Sequence, residues 1–194
     1  MGRYTGPKEK LSRREGVNLF LKGERSASDK SAFKRRPYPP GQNGKRPIKL
    51  SDYGIHLREK QRVKRTYGVR EKQFKRLFQR VKNAENRGEA LLQLLERRLD
   101  NVIYRAGWAV SRPSARQIVS HGHILINDRK VNIPSYVVKE GEVITLKKRL
   151  WTLDVMNVPW IEVNGDVCII RSYPTRKMID PGIKEYLIVE YYSK

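Results

Sequence analysis

The sequence predicts an α+β protein with a basic extended arm, a mainly helical domain with carboxy-terminal strands, and an inserted module of two helices plus a small β-sheet. Three observations predict this class. Gly, Pro and basic residues dominate the first 50 positions, capped helical patterns occupy the middle, and short strand-like runs follow position 123. We expect the arm at 1–50, the helical domain at 51–91 with 151–194, and the module at 92–150.

The arm has few periodic apolar positions. Its stretch 34–47, KRRPYPPGQNGKRP, favours extended or turn backbone, because proline restricts both its own φ and the residue before it. A segment of this composition buries too little apolar surface to fold alone. We therefore expect it to become ordered against a partner, with Leu19, Phe20 and Leu21 as its apolar anchors.

Helices are predicted where apolar residues recur at helical spacing next to capping residues. Ser51 caps the first of them, and Ser111 caps the last, which has Pro113 in its first turn and Gly122 past its end. The helix that includes Phe74 has one apolar stripe, so its basic remainder is predicted to face an anion. In order, the predicted helices are 51–68, 69–86, 89–105 and 111–121.

Strands are predicted from short apolar runs bounded by turn residues. Asn127-Asp128-Arg129 separates two runs of the module, and Asn164-Gly165 is the strongest short hairpin signal in the chain. The predicted strands are 124–126, 130–133, 143–146, 160–163, 167–170 and a final strand-like run at 186–192.

The charge of the chain is strongly basic. It has 42 Lys and Arg against 20 Asp and Glu, a net charge of +22, and this self-repulsion favours a polyanionic partner. Residues 1–88 hold 26 basic and 8 acidic side chains, a balance of +18, whereas 89–194 hold 16 and 12, a balance of +4. The partner-facing charge is therefore predicted in the first half.

Composition also excludes several kinds of site and segment. Cys168 is the only cysteine, which excludes an internal disulfide and a multi-thiolate metal site. No apolar run approaches the roughly 18 residues of a membrane span, and no secretory signal core is present. We expect no membrane association and no cofactor.

The segment after Ala109 combines a helix start with groups that bind phosphate. Ser111, Arg112 and Ser114 stand at the predicted amino terminus, with Arg116 and Gln117 one turn later. Spacing alone leaves two readings open: an RNA-backbone clamp, or an ordinary capped helix with solvated charges.

These residues, together with motifs along nearly the whole chain, resemble the S-four family of small-subunit ribosomal proteins. The collinear motifs are Arg13-Arg14-Glu15-Gly16, Pro39-Pro40-Gly41-Gln42, Leu50-Ser51-Asp52-Tyr53-Gly54, Leu57-Arg58-Glu59-Lys60-Gln61, Leu95-Glu96-Arg97-Arg98-Leu99-Asp100-Asn101-Val102 and Glu190-Tyr191-Tyr192-Ser193-Lys194, as well as the start Met1-Gly2-Arg3-Tyr4. The resemblance favours the clamp.

The resemblance implies a primary binder of small-subunit (16S-type) rRNA that nucleates assembly of the subunit body. It also implies contact with protein five of that subunit, a contribution to translational accuracy and a position along the mRNA entry channel. We expect rRNA binding by Arg3, Arg13, Arg14, Arg35, Arg36, Arg58, Lys60, Arg62, Lys64, Arg65, Ser111, Arg112, Ser114, Arg116, Gln117, His121 and His123. Lys45, Arg46 and Lys49 match the loop near incoming mRNA, with rRNA phosphate contact as the alternative.

Zinc-bearing members of this family hold the metal with four cysteines in the arm. The matching positions here are Glu9, Ser12, Ser26 and Ser31, which cannot form a tetrahedral thiolate site. We predict the zinc-free version. His121 and His123 lack further ligands nearby in sequence, so RNA contact or packing is the better interpretation than metal.

Two alternatives compete with a ribosomal component. An RNA-modifying enzyme needs a catalytic domain, and the residues outside the module are too few and too basic to supply one. A free translational regulator binding mRNA would sediment apart from the small subunit. We expect no enzymatic activity and a cytoplasmic location in the ribosome, with an organellar ribosome left open. The connection at 147–159 is shorter than in many relatives, so the RNA contacts of a longer connection are not assumed.

Overall fold

The computed structural model describes residues 4–46, 49–147 and 158–193. The chain divides into two compact units, Met1–Gly88 with Gly182–Lys194 (the first unit) and Glu89–Pro181 (the second unit). In the described residues the helices are α1 Lys8–Glu15, α2 Glu24–Ala27, α3 Ala32–Arg35, α4 Asp52–Thr66, α5 Glu71–Arg80, α6 Arg87–Glu96, α7 Leu99–Arg105, α8 Arg112–Ser120 and α9 Glu185–Ser193. The strands are β1 Ile124–Ile126, β2 Arg129–Lys130, β3 Val143–Leu146, β4 Ile161–Asn164 and β5 Val167–Ile170. The α+β class is confirmed.

The amino-terminal segment is more folded than an extended arm. Helices α1, α2 and α3 form within it, and α1 ends at Gly16, whose φ of 67° is the left-handed conformation of a helix cap. Leu19 and Leu21 are buried as expected, whereas Phe20 is 49% exposed. The prediction of an extended arm is therefore wrong over these helices, and Phe20 is not an anchor.

Helices α4, α5 and α9 make up the rest of the first unit. The Ser51 hydroxyl accepts a hydrogen bond from the Gly54 amide and caps α4 as predicted. Phe74 and Phe78 of α5 are buried against the ring of Tyr192, with ring centroids 6.3 and 4.5 Å apart. The prediction of a strand at 186–192 is wrong, because α9 buries Ile188 and satisfies its backbone internally.

The second unit contains a five-stranded antiparallel sheet with strand order β2-β1-β3-β5-β4. Asn127 and Asp128 form the β1–β2 turn with φ of 46° and 62°. Cys168 of β5 pairs with Ile144 of β3, so β4 and β5 belong to the module's sheet. The assignment of these strands to the helical domain is therefore wrong.

The helix predicted at 89–105 is interrupted. Arg98 has extended backbone and bridges Val137, while the Leu99 amide donates to the Tyr136 carbonyl at 2.8 Å. Two helices, α6 and α7, result. Helices α7 and α8 then pack on the sheet around a core that includes Leu99, Val102, Ile103, Trp108, Ile118, Val119, Ile124, Ile144, Trp160, Cys168 and Ile170.

No helix among the described residues has both the length and the apolar character that a membrane crossing requires.

Candidate nucleic-acid interface

Arg13 and Arg14, at the end of α1, hold the segment that follows α3. The Arg13 Nε donates to the carbonyls of Arg36 and Tyr38, each at 3.0 Å, and its guanidinium lies 5.1 Å from the Tyr38 ring. The Arg14 Nη2 donates to the Pro40 carbonyl at 3.3 Å. These two predicted RNA ligands thus shape the backbone that carries Arg35 and Arg36, both of which are exposed.

The loop after Tyr38 presents the residues predicted near mRNA. Lys45, Arg46 and Lys49 are exposed, and the Lys45 Nζ lies 5.7 Å from the Tyr38 ring. A side chain at Gly44 would meet the Pro39 carbonyl, since a Cβ there would lie 2.0 Å from that oxygen. The segment from Pro39 to Gly44 is therefore closely packed next to the exposed Lys45 and Arg46. Arg3, also predicted to bind RNA, lies outside the described residues.

The four positions that matched the zinc ligands come together as a buried hydrogen-bonded cluster. Ser26 and Ser31 donate from Oγ to the two carboxylate oxygens of Glu9, each at 2.9 Å, and Ser12 Oγ accepts from the Leu19 amide. The three serines are fully buried and Glu9 is 8% exposed. Because both carboxylate oxygens are satisfied by hydroxyls, this set does not suit zinc.

The predicted cations of α4 all lie against partners within the protein. Glu15 accepts hydrogen bonds on Oε1 from Arg58 Nη1 at 3.3 Å and from Arg65 Nη1. Burial raises the pKa of Glu15, and the charges of Arg65, Arg58 and Arg14 oppose that rise. Burial likewise lowers the pKa of Arg65. Arg58 and Arg65 keep 30% and 23% of their side chains exposed, whereas Glu15 keeps 1%.

The other three predicted cations of α4 form hydrogen bonds within the protein: Lys60, Arg62 and Lys64. Lys60 and Lys64 donate to the two oxygens of Glu71 at 2.7 and 2.9 Å, and Arg62 Nη1 donates to the Gly182 carbonyl at 2.7 Å. Burial alone would raise the pKa of Glu71, but the bonds from the lysines outweigh it and lower the pKa to about 2. Lys60 is only 3% exposed, so its place contradicts the expectation that it contacts RNA.

Helix α5 presents exposed cations on the face that the sequence predicts to meet an anion, although none of them is among the predicted rRNA-binding residues. Lys72, Lys75, Arg76 and Arg80 are all exposed, on the part of the helix turned away from the buried Phe74, Leu77 and Phe78. The helical spacing of those apolar residues is the signal that finds this face. Four cations on one helix face suit a phosphate backbone.

Helix α8 of the second unit begins as predicted. Ser111 is 5% exposed and its hydroxyl accepts from the Ser114 amide at 3.4 Å, so it acts as the helix cap. The Arg112 Nε donates to Asn101 Oδ1 at 2.8 Å, and its guanidinium lies 4.6 Å from the Tyr104 ring. Arg116 lies 3.7 Å from Asp100 with 15% of its side chain exposed, and Gln117 is exposed. Side chains of α7 thus hold the start of α8 in place.

A buried acidic network supports that helix start. Glu96 binds Arg105 through both carboxylate oxygens at 3.0 and 2.8 Å, and Asp100 binds Arg98 in the same way at 3.1 and 2.7 Å. Asn101 donates to the Glu96 carbonyl at 2.9 Å and to its Oε2 at 2.7 Å. The Leu95–Val102 motif therefore joins α6, α7 and α8.

His121 and His123 flank the turn between α8 and β1. Their rings lie 6.2 Å apart, with His121 exposed. Gly122 has φ of 74°, and a Cβ there would lie 2.2 Å from Lys130 Cε. Lys130 and Arg129 of β2 are exposed and were also absent from the predicted site. In the described parts of the chain, no three His, Cys, Asp or Glu side chains gather as a metal site.

Comparison with known proteins covers the whole chain. The family model described as the ribosomal protein S4/S9 N-terminal domain matches residues 3–96, and the model described as the S4 domain matches residues 97–144. Proteins named small ribosomal subunit protein uS4 are 52% identical in Thermoanaerobacter sp. (strain X514), 50% in Dictyoglomus turgidum and 47% in Thermotoga petrophila, each with all of both chains aligned. The chain therefore belongs to the uS4 family of small ribosomal subunit proteins.

Proposed function

We propose that this protein is a structural constituent of the small ribosomal subunit that binds 16S-type rRNA through a cationic surface on each unit and has no catalytic role. The observation that carries the proposal is the exposed face of α5, where four cations project opposite a buried apolar stripe. Cations arranged in this way neutralise successive phosphates of an RNA backbone. The exposed Arg35 and Arg36 extend the cationic surface of the first unit.

On the second unit, the proposed surface is the start of α8 together with the β1–β2 hairpin. Arg112 and Ser114 stand at the amino terminus of α8, where backbone amides and the helix dipole favour a phosphate. Gln117, His121 and Lys130 are exposed along the same helix and hairpin. Recognition of folded RNA shape suits such a surface better than readout of base edges.

A binding experiment tests the α5 surface of the first unit. The full chain is titrated against a transcript of the 5′ region of 16S-type rRNA at several salt concentrations. Replacing Lys72, Lys75, Arg76 and Arg80 with Ala should weaken binding and reduce the dependence of log K on log salt by about three, since each lost phosphate contact removes roughly 0.7 to 0.9 from that slope. An unchanged slope would place the RNA elsewhere.

The family resemblance supports finer roles, which we include in the proposal. These are early binding that nucleates assembly of the subunit body, contact with ribosomal protein five, a contribution to decoding accuracy, and a position at the mRNA entry channel, all in cytoplasmic ribosomes. Omitting the chain from an in vitro reconstitution of the subunit tests the first role. Assembly that proceeds at the same rate without it would contradict nucleation.

Lys45, Arg46 and Lys49 are the proposed mRNA contacts. The exposure of all three side chains, and the close packing of the chain at Gly44 just before Lys45, support a set of point charges for a single strand. Ribosomes that carry Ala at all three positions should unwind structured messages more slowly than ribosomes with the original residues. Unchanged unwinding, with weaker rRNA binding, would assign these side chains to rRNA instead.

A further inference from the structure

We propose that Glu15 is a positioning residue, which holds Arg58 and Arg65 as a two-guanidinium site for an RNA phosphate. The inference rests on the proposed rRNA binding and deepens it. It has a counterintuitive consequence: removing this negative charge from a protein that binds a polyanion should weaken binding.

The geometry places one carboxylate oxygen between two arginines of one helix face. Arg58 and Arg65 are seven residues apart on α4, two turns or roughly 10 Å along the helix axis. Glu15, the last residue of α1, reaches them from the side, and its Oε1 accepts from the Nη1 of each. The two guanidinium groups are thereby held together in spite of their mutual repulsion.

Exposure is unequal within this cluster. The Glu15 side chain is 1% exposed, while those of Arg58 and Arg65 are 30% and 23% exposed. In the described part of the chain, the hydrogen bond of each arginine to Glu15 uses only its Nη1 group. A guanidinium carries five N–H donors, so each side chain retains donors for a ligand on its exposed side. Arg14, whose charge also acts on Glu15, is exposed beside them.

The second carboxylate oxygen of Glu15 differs in its hydrogen bonding from those of the other paired glutamates. Oε2 is buried and, among the described residues, has no hydrogen-bond partner. Glu9, Glu71 and Glu96 each have both oxygens bonded. The hydrogen bonds of the Glu15 carboxylate to described residues are therefore concentrated on Oε1, where both arginines meet. This concentration on one oxygen fits a carboxylate that places two arginines side by side.

Two explanations of this cluster predict opposite changes in RNA affinity for Glu15→Gln. If only net charge matters, Glu15→Gln raises the positive charge and tightens RNA binding. If Glu15 positions the arginines, the neutral amide lets them separate and binding weakens by about tenfold, the value of roughly one charge-assisted hydrogen bond. The matched control is Glu85→Gln, which removes the charge of an exposed acid in the same unit. Positioning predicts unchanged or slightly tighter binding for that control.

The experiment measures affinity of the full chain for the 16S-type 5′-region transcript in a double-mutant cycle. Glu15→Gln should weaken binding in the original chain but have under about twofold effect when Arg58 and Arg65 are both Ala, because it then has nothing to position. An equal loss in both backgrounds would show a purely structural role and overturn the proposal. Tighter binding of Glu15→Gln, or an effect like that of Glu85→Gln, would also overturn it.

The arginine variant keeps the test decisive if Glu15→Gln fails to fold. Arg58→Ala with Arg65→Ala should reduce the salt slope by about one to two, as for lost phosphate contacts. An unchanged affinity and slope would overturn the proposal without any Glu15 variant. If the original chain does not bind the transcript, the proposed function fails, which is a different result from binding that ignores Glu15.

Discussion

A carboxylate that gathers basic side chains is the recurrent arrangement at the scale of single residues. Glu15 and Glu71 each bind two cations of α4, Glu96 binds Arg105, and Asp100 binds Arg98. The chain has 20 acidic and 42 basic side chains, and several of the acidic ones thus fix the positions of basic ones. The exposed cations of α5, together with the partly exposed Arg58 and Arg65, remain available to a polyanion.

Glu71 predicts how the first unit responds to acid. Its folded-state pKa of about 2 lies below the ordinary 4.5, so its contribution is present above pH 4.5 and is lost as pH falls from 4.5 toward 2. The carboxylate is about half exposed, and solvent screening reduces that contribution to about 1 kcal/mol. Thermal unfolding followed by circular dichroism should show a shallower acid destabilisation for Glu71→Gln. Glu85→Gln is the control, and identical profiles for Glu71→Gln and the original chain would contradict the ion-pair account.

Cys168 should be inert in the folded protein. It is fully buried in the central part of the sheet, and burial raises its pKa to about 12, so the reactive thiolate is scarce. A thiol reagent at about pH 8 should label the native chain far more slowly than the urea-unfolded chain. Rapid labelling of the native protein would mean that the β3–β5 pairing opens readily.

At the scale of elements, the Asn101 side chain links α6, α7 and α8. Its replacement measures how much this link contributes to the stability of the second unit. The side chain is 1% exposed and bonds the Glu96 carbonyl, the Glu96 carboxylate and Arg112. Asn101→Ala removes the amide that donates to the Glu96 carbonyl and carboxylate and accepts from Arg112, and the loss of these three hydrogen bonds should lower the free energy of unfolding by about 2 kcal/mol. Urea denaturation measures it, with Asn132→Ala, an exposed asparagine of the same unit, as the control. Equal stability of both variants would contradict a supporting role.

The amino-terminal helices give a second prediction at this scale. Two serine hydroxyls donate to Glu9 where zinc-bearing relatives place thiolates, so the purified chain should contain no zinc and a chelator should leave its melting temperature unchanged. Glu9→Ala should destabilise the segment by about 2 kcal/mol, because both hydroxyls lose their acceptor. Glu24→Ala, at an exposed acid of α2, is the control. One equivalent of bound zinc would contradict the prediction.

The starts of helices and the first turn are predicted correctly from the sequence where capping chemistry and periodicity agree. Ser51 and Ser111 predicted the starts of α4 and α8, and the Asn127-Asp128 turn predicted the first hairpin. Prediction from the sequence fails where tertiary contacts decide. The run 186–192 is rich in aromatic and β-branched residues, as strands are, yet packing of Ile188 makes it helical. The break at Arg98 depends on pairing with Val137, which no local pattern contains.

The candidate site was predictable in the same uneven way. Residue type and motif predicted Arg58, Arg65 and Arg112 as RNA ligands, but not that Glu15 and Asn101 hold these side chains. Lys60 shows the opposite error, since its charge suggested RNA while its burial against Glu71 removes it from the surface. Which basic side chains face solvent is settled by partners distant in sequence, and composition contains no information about them.

For the whole molecule, a net charge of +22 predicts opposite salt effects on the protein alone and on its RNA complex. Raising KCl from about 10 mM to about 500 mM shortens the screening length severalfold, so self-repulsion falls and the melting temperature of the RNA-free chain should rise. The same change should weaken RNA binding by orders of magnitude, because counterion release loses its driving force. Differential scanning calorimetry and a binding titration measure the two effects. A melting temperature that falls with salt would mean that the internal pairs of Glu15 and Glu71 outweigh the repulsion among the surface cations, and the polyanion would then be needed for function without being needed for stability.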